Sequence, residues 1–511
     1  MIVEPSPADF EAAYDNGAAQ LVWTRVINDL ETPVSAYLKI ADPRPYTFLF
    51  ESVEGGAWRG RYSIVAMNPD LVWRCRGDKA EIARGEAISH GAFVAQEADA
   101  LTSLRDLVAQ SRLEVPAGLP PPAAGLFGVF GYDMIRLVER LPKVNPDPLD
   151  LPDAVLIRPS IVAIFDAIAQ EIILATTVRV SAKGAGRAYD DAKDRLETVI
   201  ADLNKPLPAA RQRTGEGDPD AFVSPVSRER YCAIVEKAKA YISAGDVFQV
   251  VPSHRFRAPF DHQPLALYRS LRRTNPSPFL FFLNFPDFQL VGSSPEILVR
   301  LRDGKITVRP IAGTRPRGAT PALDAELEKE LLADEKERAE HLMLLDLARN
   351  DVGRVAALGG AGANVADPGL GHANVRVTES FVVERYSHVM HIVSNVEGVA
   401  REGVNPVDVL MAALPAGTLS GAPKVRAMEI IDELETEKRG VGYAGAVGYF
   451  GADGSVDTCI VLRTGLIKDG MLYVQAGGGV VYDSDPNSEY EETLHKARAL
   501  QVAAQEAWRF S

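Results

Sequence analysis

The sequence predicts an α/β protein of the α+β type, with large mixed, mostly antiparallel sheets whose outer faces are covered by helices. Two observations lead there. First, Asp-Gly dipeptides join strand-like runs directly: Asp303-Gly304 within ILVRLRDGKITVRPI, then Asp453-Gly454 and Asp469-Gly470 between runs at 443–450, 456–467 and 471–482. Asp-Gly suits the type I′ turn of a tight hairpin, and consecutive hairpins build antiparallel sheets rather than a doubly wound parallel one. Second, helical runs are distributed among these strands. The most informative is 334–354, DEKERAEHLMLLDLARNDVGR. At about 100° per residue, Leu342, Met343, Leu344 and Leu345 point in four directions, which predicts a helix that lies inside the protein.

Taken in order, residues 1–204 form a mixed N-terminal region, with strands expected at 46–51, 62–76, 155–165 and 171–180 and helices at 102–111 and 187–203. The proline-rich stretch 115–122 reads as a loop. Residues 205–225, KPLPAARQRTGEGDPDAFVSP, combine proline, glycine and charge without an apolar period, the pattern of a linker or long surface loop. In the region 226–511, a helix from Ser227 is expected to end at Gly245, followed by a strand at 247–256. A helix near Leu265 should stop before Asn275-Pro276, because the residue preceding proline avoids helical geometry. Residues 375–398 read as two strands. A short helix follows Gly421-Ala422-Pro423, with proline in its first turn, and a last helix begins near Ser488. No fixed-period repeat is present.

Composition sets limits on function. The chain has 511 residues, 24% charged and 46% hydrophobic, ordinary values for a globular protein able to bury a large core. Its net charge of −14 argues against nucleic-acid binding, which needs a basic surface. Cys75, Cys232 and Cys459 show no disulfide framework and no metal-ligand spacing. No apolar run approaches the ~20 residues of a membrane helix, and the N-terminus lacks a signal pattern. These features predict a cytoplasmic protein with no membrane partner.

Several residues could carry chemistry. Glu337 and Glu340 are three apart on one helix face, and Glu489 and Glu492 repeat the spacing near the start of the last helix. Each pair alone is also what a solvated helix terminus shows. Were the pairs to meet, a hard oxygen-seeking cation such as Mg²⁺ would be the simplest neutraliser. Gly477, Gly478 and Gly479 end an apolar strand, which suggests either a close backbone approach to a ligand or a crossing of chains. Arg463 shares a predicted strand face with Cys459 and Val461 and wants a carboxylate partner. Tyr443 and His391, on apolar strands, are compatible with satisfied core residues as well as with a site. The loop 417–424, GTLSGAPK, could hold an anion through its amides and hydroxyls, but its spacing is not that of a P-loop.

Read together, PIAGTRPRG at 310–318, the helix at 334–354, GTLSGAPKVRAMEII at 417–431, GAVGYF at 445–450 and QAGGGVV through SEYEE resemble the chorismate-utilising enzymes, and within them the anthranilate-forming aminases. The resemblance spans nearly the whole chain and is dense from Ser227 to Lys496. It implies the fold of that family and a lyase in which ammonia adds to chorismate and pyruvate is eliminated. It implies Mg²⁺ held by Glu340 and Glu492 with Glu337 and Glu489 beside them. Gly313, Thr314, Tyr443, Arg463, Gly477, Gly478 and Gly479 would hold the substrate. Glu296 would be the acid for the departing hydroxyl, His391 the base for the ring proton, and Thr418 a positioning group. Ala312 replaces the nucleophilic lysine of members that make aminodeoxychorismate, and Gln249 stands near the lysine base of members that add water. Both favour anthranilate over the sister reactions, and the full set of acids and His391 favours an enzyme over a non-catalytic tryptophan sensor. Leu49-Phe50-Glu51-Ser52 and Asn275-Pro276-Ser277-Pro278-Phe279 match, with phenylalanine substitutions, the family's tryptophan-feedback motifs, which implies a regulatory site at Ser52, Pro278, Phe279 and Leu280. Gly478 stands where alanine is usual, a change expected to be tolerated. None of the three cysteines lies in a glutaminase elbow, so the resemblance implies a separate glutaminase subunit and a hetero-oligomer.

Overall fold

Two long strands, Tyr62–Arg76 and Ala154–Asp166, pair antiparallel from Tyr62↔Asp166 to Cys75↔Ala154 and organise the sheet. Midway, Pro69 faces Pro159 and the register shifts between Pro69 and Leu71. Neither proline has an N–H to give the ladder, and Asn68 beside them adopts φ 52°, so the paired strands bend there. In the computed structural model, which describes residues 1–52, 60–208, 215, 221–357, 374–386 and 389–510, one antiparallel sheet runs out from this bend in two arms.

One arm leaves Tyr62–Arg76 through Thr47–Glu51, Phe279–Asn284, Gln289–Ser294, Thr464–Lys468, Met471–Gly477 and Ser253–Pro259. The other leaves Ala154–Asp166 through Gly125–Phe130, Ala446–Gly451, Val456–Ile460, Ile297–Arg302, Lys305–Val308 and Val389–Val399, which carries Ile311–Pro316 and Val375–Arg385. Strand alternation then sorts the core into layers. Ile64, Ala66 and Val72 join Phe48, Phe127, Phe281 and Val447 between the arms. Val65 and Met67 face helices Pro33–Ile40, Ala185–Leu203, Pro264–Thr274 and Pro486–Glu506. Past the bend, Leu71, Trp73 and Cys75 face Ala100–Gln110, Glu335–Gly353 and Pro406–Ala413 on the other side. The result is helix, sheet, sheet, helix: the α+β class expected, with buried aromatics such as Trp73 each contributing roughly 1.5–3 kcal/mol of burial free energy.

The hairpins turn where the Asp-Gly dipeptides stand. Asp303 and Gly304 have φ of 51° and 71°, and Asp469 and Gly470 of 50° and 72°, the two positive values a type I′ turn requires. The central helix spans Glu335–Gly353, with the Asp334 carboxylate accepting from the Lys336 and Glu337 N–H groups. Five expectations are corrected. Leu342 is 58% exposed while Leu344 and Leu345 are buried, so the helix packs on one side rather than all round. The strand expected at 247–256 divides at Pro252 into Gln249–Val250 and Ser253–Pro259. The strand expected at 456–467 divides into Val456–Ile460 and Thr464–Lys468, because Arg463 takes φ 47°; it therefore does not share a strand face with Cys459 and Val461. The last helix begins at Pro486 with Asp485 as its cap, and Pro423 is the cap of Lys424–Leu434 rather than a residue of its first turn. Within 205–225, residues 209–214 and 216–220 lie outside the described residues; Val223 bridges to Arg257.

Candidate active site

Gln249, the end of the strand Met471–Gly477 and the first turns of the central and last helices come together around Glu340 and Glu492. Glu340 is held above its usual carboxylate range first by burial, then by the negative charge of Glu337, with Glu492 adding to it. The two acid pairs therefore share one electrostatic neighbourhood. Gln249 donates from Nε2 to Glu340 Oε1 at 3.3 Å, and the Gln249 Oε1 is buried with no hydrogen-bond partner. Glu489 is also pushed up, by burial and then by Glu492, against a hydrogen bond from Ser484 Oγ at 2.7 Å. Its Oε2 is buried and unpartnered. The remaining acids have cations. Glu337 Oε1 accepts from Arg315 Nη1 at 3.1 Å, and Glu492 Oε1 lies 2.6 Å from Lys496 Nζ, which also donates to the Gly477 carbonyl at 3.0 Å.

The three glycines make this approach possible. A Cβ at Gly477 would meet the Pro252 carbonyl at 2.5 Å and the Tyr443 hydroxyl at 3.0 Å, one at Gly478 would meet Glu489 Oε2 at 2.7 Å, and one at Gly479 would meet Gln249 Nε2 at 2.4 Å. Alanine at 478 would thus be accommodated only by a shift of the flexible Glu489 carboxylate. A Cβ at Gly313, whose φ is 67°, would meet Glu337 Oε2 at 3.1 Å.

Among the described residues no group of three or more His, Cys, Asp or Glu is already gathered as a metal cage. Like charges spread apart, and Arg315 and Lys496 each hold one acid. The donor chemistry nevertheless fits a hard divalent cation: carboxylate and amide oxygens, an unpartnered buried Glu489 Oε2, and two acids whose ionisation burial and acidic neighbours oppose. Glu337 and Glu492 are engaged by Arg315 and Lys496, which leaves Glu340 and Glu489 without a cationic partner among the described residues.

Two further groups suit proton transfer, Glu296 and His391, the latter bonded to the carbonyl of Gly313, which lies beside Glu337. Glu296 is 7% exposed, and burial pushes its carboxyl up to about 8, against the Thr418 hydroxyl, which donates to it at 3.4 Å. It is therefore largely protonated at neutral pH. His391 pairs with Thr314 across the strand, and its Nδ1 is 2.9 Å from the Gly313 carbonyl and 3.1 Å from Thr314 Oγ1. A carbonyl can only accept, so Nδ1 carries the proton and Nε2 is the basic nitrogen. Burial holds His391 below its usual value, and the Arg463 charge pushes it further down. Arg463 itself is half-buried, and among the described residues its guanidinium has no hydrogen-bond or ion-pair partner. Burial lowers it with no acid to oppose the loss of charge. A desolvated cation without a counter-ion is a receptor for a carboxylate.

Sequence reasoning missed one positioning group. Arg439 is fully buried, ion-paired with Glu435, and donates to the Leu419 carbonyl at 2.8 Å and the Val251 carbonyl at 2.7 Å. It lies 4.7 Å from the Tyr132 ring centroid and 5.3 Å from that of Tyr443. One side chain thus positions the loop of Thr418, the strand of Gln249 and the Tyr443 ring. The Glu435–Arg439 spacing of four was its only trace in the sequence.

The residues of the implied regulatory site also meet. Glu51 pairs with Leu280, which sets Ser52 beside Pro278 and Phe279. Glu51 is anchored by Tyr268 and Arg272, while the Ser52 hydroxyl is buried without a partner. Phe279 pairs in turn with Ser294, two residues from Glu296.

A family model described as chorismate binding enzyme matches residues 46–502. Anthranilate synthase component 1 of Cereibacter sphaeroides is 57% identical over 503 residues, covering 98% of each chain, and that of Pseudomonas putida is 48% identical over 92% of each. Among solved structures, anthranilate synthase component I from Streptococcus pneumoniae superposes with a TM-score of 0.74 at 35% identity, covering 94% of this chain and 99% of that one. The menaquinone-specific isochorismate synthase of Escherichia coli, at 18% identity and a TM-score of 0.67, shares the fold. The chain belongs to the chorismate binding enzymes, on their anthranilate synthase component 1 branch.

Proposed function

We propose that this chain is the aminase of anthranilate synthesis, a lyase of tryptophan biosynthesis that converts chorismate and ammonia to anthranilate, pyruvate and water. The observation that carries the reading is the Arg463 guanidinium, half-buried without a counter-ion among the described residues, beside a neutral His391. It is suited to one carboxylate of a dicarboxylate substrate, with Tyr443, Gly313, Thr314 and the 477–479 glycines shaping the rest of the pocket.

Ammonia adds to the ring as the ring hydroxyl departs, and protonated Glu296 gives that oxygen the proton with which it leaves as water. Thr418, hydrogen-bonded to Glu296, keeps the carboxyl aimed. His391 Nε2 then takes the ring proton, and the C–O bond to the enolpyruvyl group breaks, leaving an aromatic ring and an enolate that takes up a proton at its methylene carbon to become pyruvate. The Gly313 carbonyl, by fixing the proton on Nδ1, leaves Nε2 free for this step. Glu340, Glu489 and Glu492 would hold Mg²⁺, which when bound supplies the positive charge that lets a dianion enter a pocket lined by acids.

Ammonia is proposed to come from a separate glutaminase subunit in a hetero-oligomer, since this sequence has no G-x-C-x-G elbow. Tryptophan is proposed to bind at Ser52, Pro278, Phe279 and Leu280 in the N-terminal half of the sheet and its partner strand. No helix of the described residues is long and apolar enough to cross a membrane. The test is chorismate saturation with ammonium as nitrogen source in wild type and Arg463→Gln: a large rise in KM supports the reading, and an unchanged KM rejects Arg463 as the carboxylate receptor.

A further inference from the structure

Away from the candidate active site, at the bend of the two long strands, four arginines from four elements crowd around one acid. Leu71, at the bend, pairs with Arg84 on one side and Arg158 on the other. Arg179 follows the strand Glu171–Val178, and Arg195 comes from the helix Ala185–Leu203. Asp70 is the carboxylate they share, and both its oxygens are already taken by Arg158, Nε at 2.7 Å and Nη2 at 2.9 Å. Arg195 also feels Asp191, but that acid holds Lys183 and Arg187.

The other guanidiniums are only partly satisfied: Arg195 donates from Nε to Thr176 Oγ1 at 3.0 Å and has no other hydrogen bond among the described residues. Arg84 has no hydrogen-bond partner among the described residues. Arg179 donates to the Gln110 and Ser111 carbonyls at 3.1 Å and 3.3 Å, at the end of the helix Ala100–Gln110, yet its Nε is buried without an acceptor. Beside it the Ser111 hydroxyl, 3% exposed, is likewise buried and unpartnered. Burial depresses Arg84, Arg179 and Arg195. The positive charge of Arg158 pushes Arg84 and Arg179 down further, Arg179 to about 10. In a chain of net charge −14, such a concentration of uncompensated positive charge has no solubility role.

We propose that this corner binds a phosphate dianion, free or as the end group of a phosphorylated metabolite. Donors arriving from several elements suit the non-coplanar oxygens of a phosphate, whereas a planar carboxylate is saturated by one guanidinium, as Asp70 is by Arg158. A bound dianion accepts from Arg84, Arg179 Nε and Arg195 and relieves their mutual repulsion. Chorismate chemistry neither uses nor releases phosphate, so this is a second ligand site and not part of the candidate active site.

The test is calorimetric titration and thermal unfolding of the full chain with inorganic phosphate and with glycerol phosphate, against sodium chloride at matched ionic strength. Saturable binding is expected, with a rise in unfolding temperature that chloride does not reproduce. Arg84→Gln and Arg179→Gln should each weaken binding by about tenfold, the loss of one charged hydrogen bond. Arg84, exposed and without a hydrogen bond to the protein, can be replaced without disturbing the fold, so Arg84→Gln should keep the wild-type rate with chorismate and ammonium. Tighter binding of the ester would identify a phosphorylated metabolite as the ligand, and equal binding free phosphate. No saturable binding of either probe, or binding unaffected in both variants, would overturn the proposal.

Discussion

Replacing Glu296 by glutamine removes one proton from a buried position while keeping the side-chain volume and one oxygen for the Thr418 hydroxyl. Burial raises this carboxyl from 4.5 to about 8. Below pH 4.5 the folded and unfolded chains both hold the proton, and this group adds no pH dependence. Between 4.5 and about 8 the folded protein keeps a proton that the unfolded chain releases, so stability falls as pH rises, by about 1.4 kcal/mol per unit. Taken across that window to neutral pH and slightly above, the loss is on the order of 4 kcal/mol, and glutamine does not suffer it. Glu296→Gln should therefore gain stability relative to wild type with each step in pH, and the gain should level off above about pH 8. Its turnover should drop by roughly 10²–10⁴, because glutamine has no proton to give the departing hydroxyl. The assay is urea unfolding of both proteins from about pH 5 to about pH 8, with initial rates followed by anthranilate fluorescence. A stability difference that does not change with pH, or a variant that turns over like wild type, would refute the reasoning.

Other substitutions probe separate parts of the site. His391→Ala should slow turnover by roughly 10²–10⁴ and let an aminated, non-aromatic species appear in product chromatography, while anthranilate at the wild-type rate would remove His391 from the mechanism. Because burial lowers His391 and the base must be neutral, the wild-type rate should rise as pH increases through a value below 6.5 and fall again near that of Glu296. Arg463→Gln should raise the KM for chorismate roughly ten- to a hundredfold, and lysine should not restore it, since a point charge lacks the planar fork. Ser52→Leu should weaken tryptophan inhibition at least about tenfold with basal turnover retained, and inhibition at the wild-type concentration would place the effector elsewhere.

Much of the architecture was legible because its signals are local. Asp303-Gly304 and Asp469-Gly470 announce hairpins through backbone geometry that few other dipeptides adopt, and Asp334 announces a helix start. The site's acids were legible as two pairs of equal spacing, and their meaning came from a family resemblance rather than from spacing. What escaped depends on distant parts of the chain. The bend needs Pro69 to face Pro159 across ninety residues of sequence. The positive φ at Arg463 interrupts a run whose alternation reads as continuous strand. Arg315, which pairs with Glu337, and Arg439, which holds the Leu419 and Val251 carbonyls, look like ordinary surface charges until the sheet brings their partners to them. Leu342 was misread for the same reason: four consecutive apolar residues do not say which side of a helix meets solvent.

The most direct test of the account is anthranilate fluorescence from the purified chain given chorismate, an ammonium salt and Mg²⁺, and then given the same with EDTA. The account predicts anthranilate without any second subunit, abolished by EDTA and restored by excess Mg²⁺. Chorismate left untouched, converted to a non-fluorescent product, or converted to anthranilate at full rate in EDTA would contradict it.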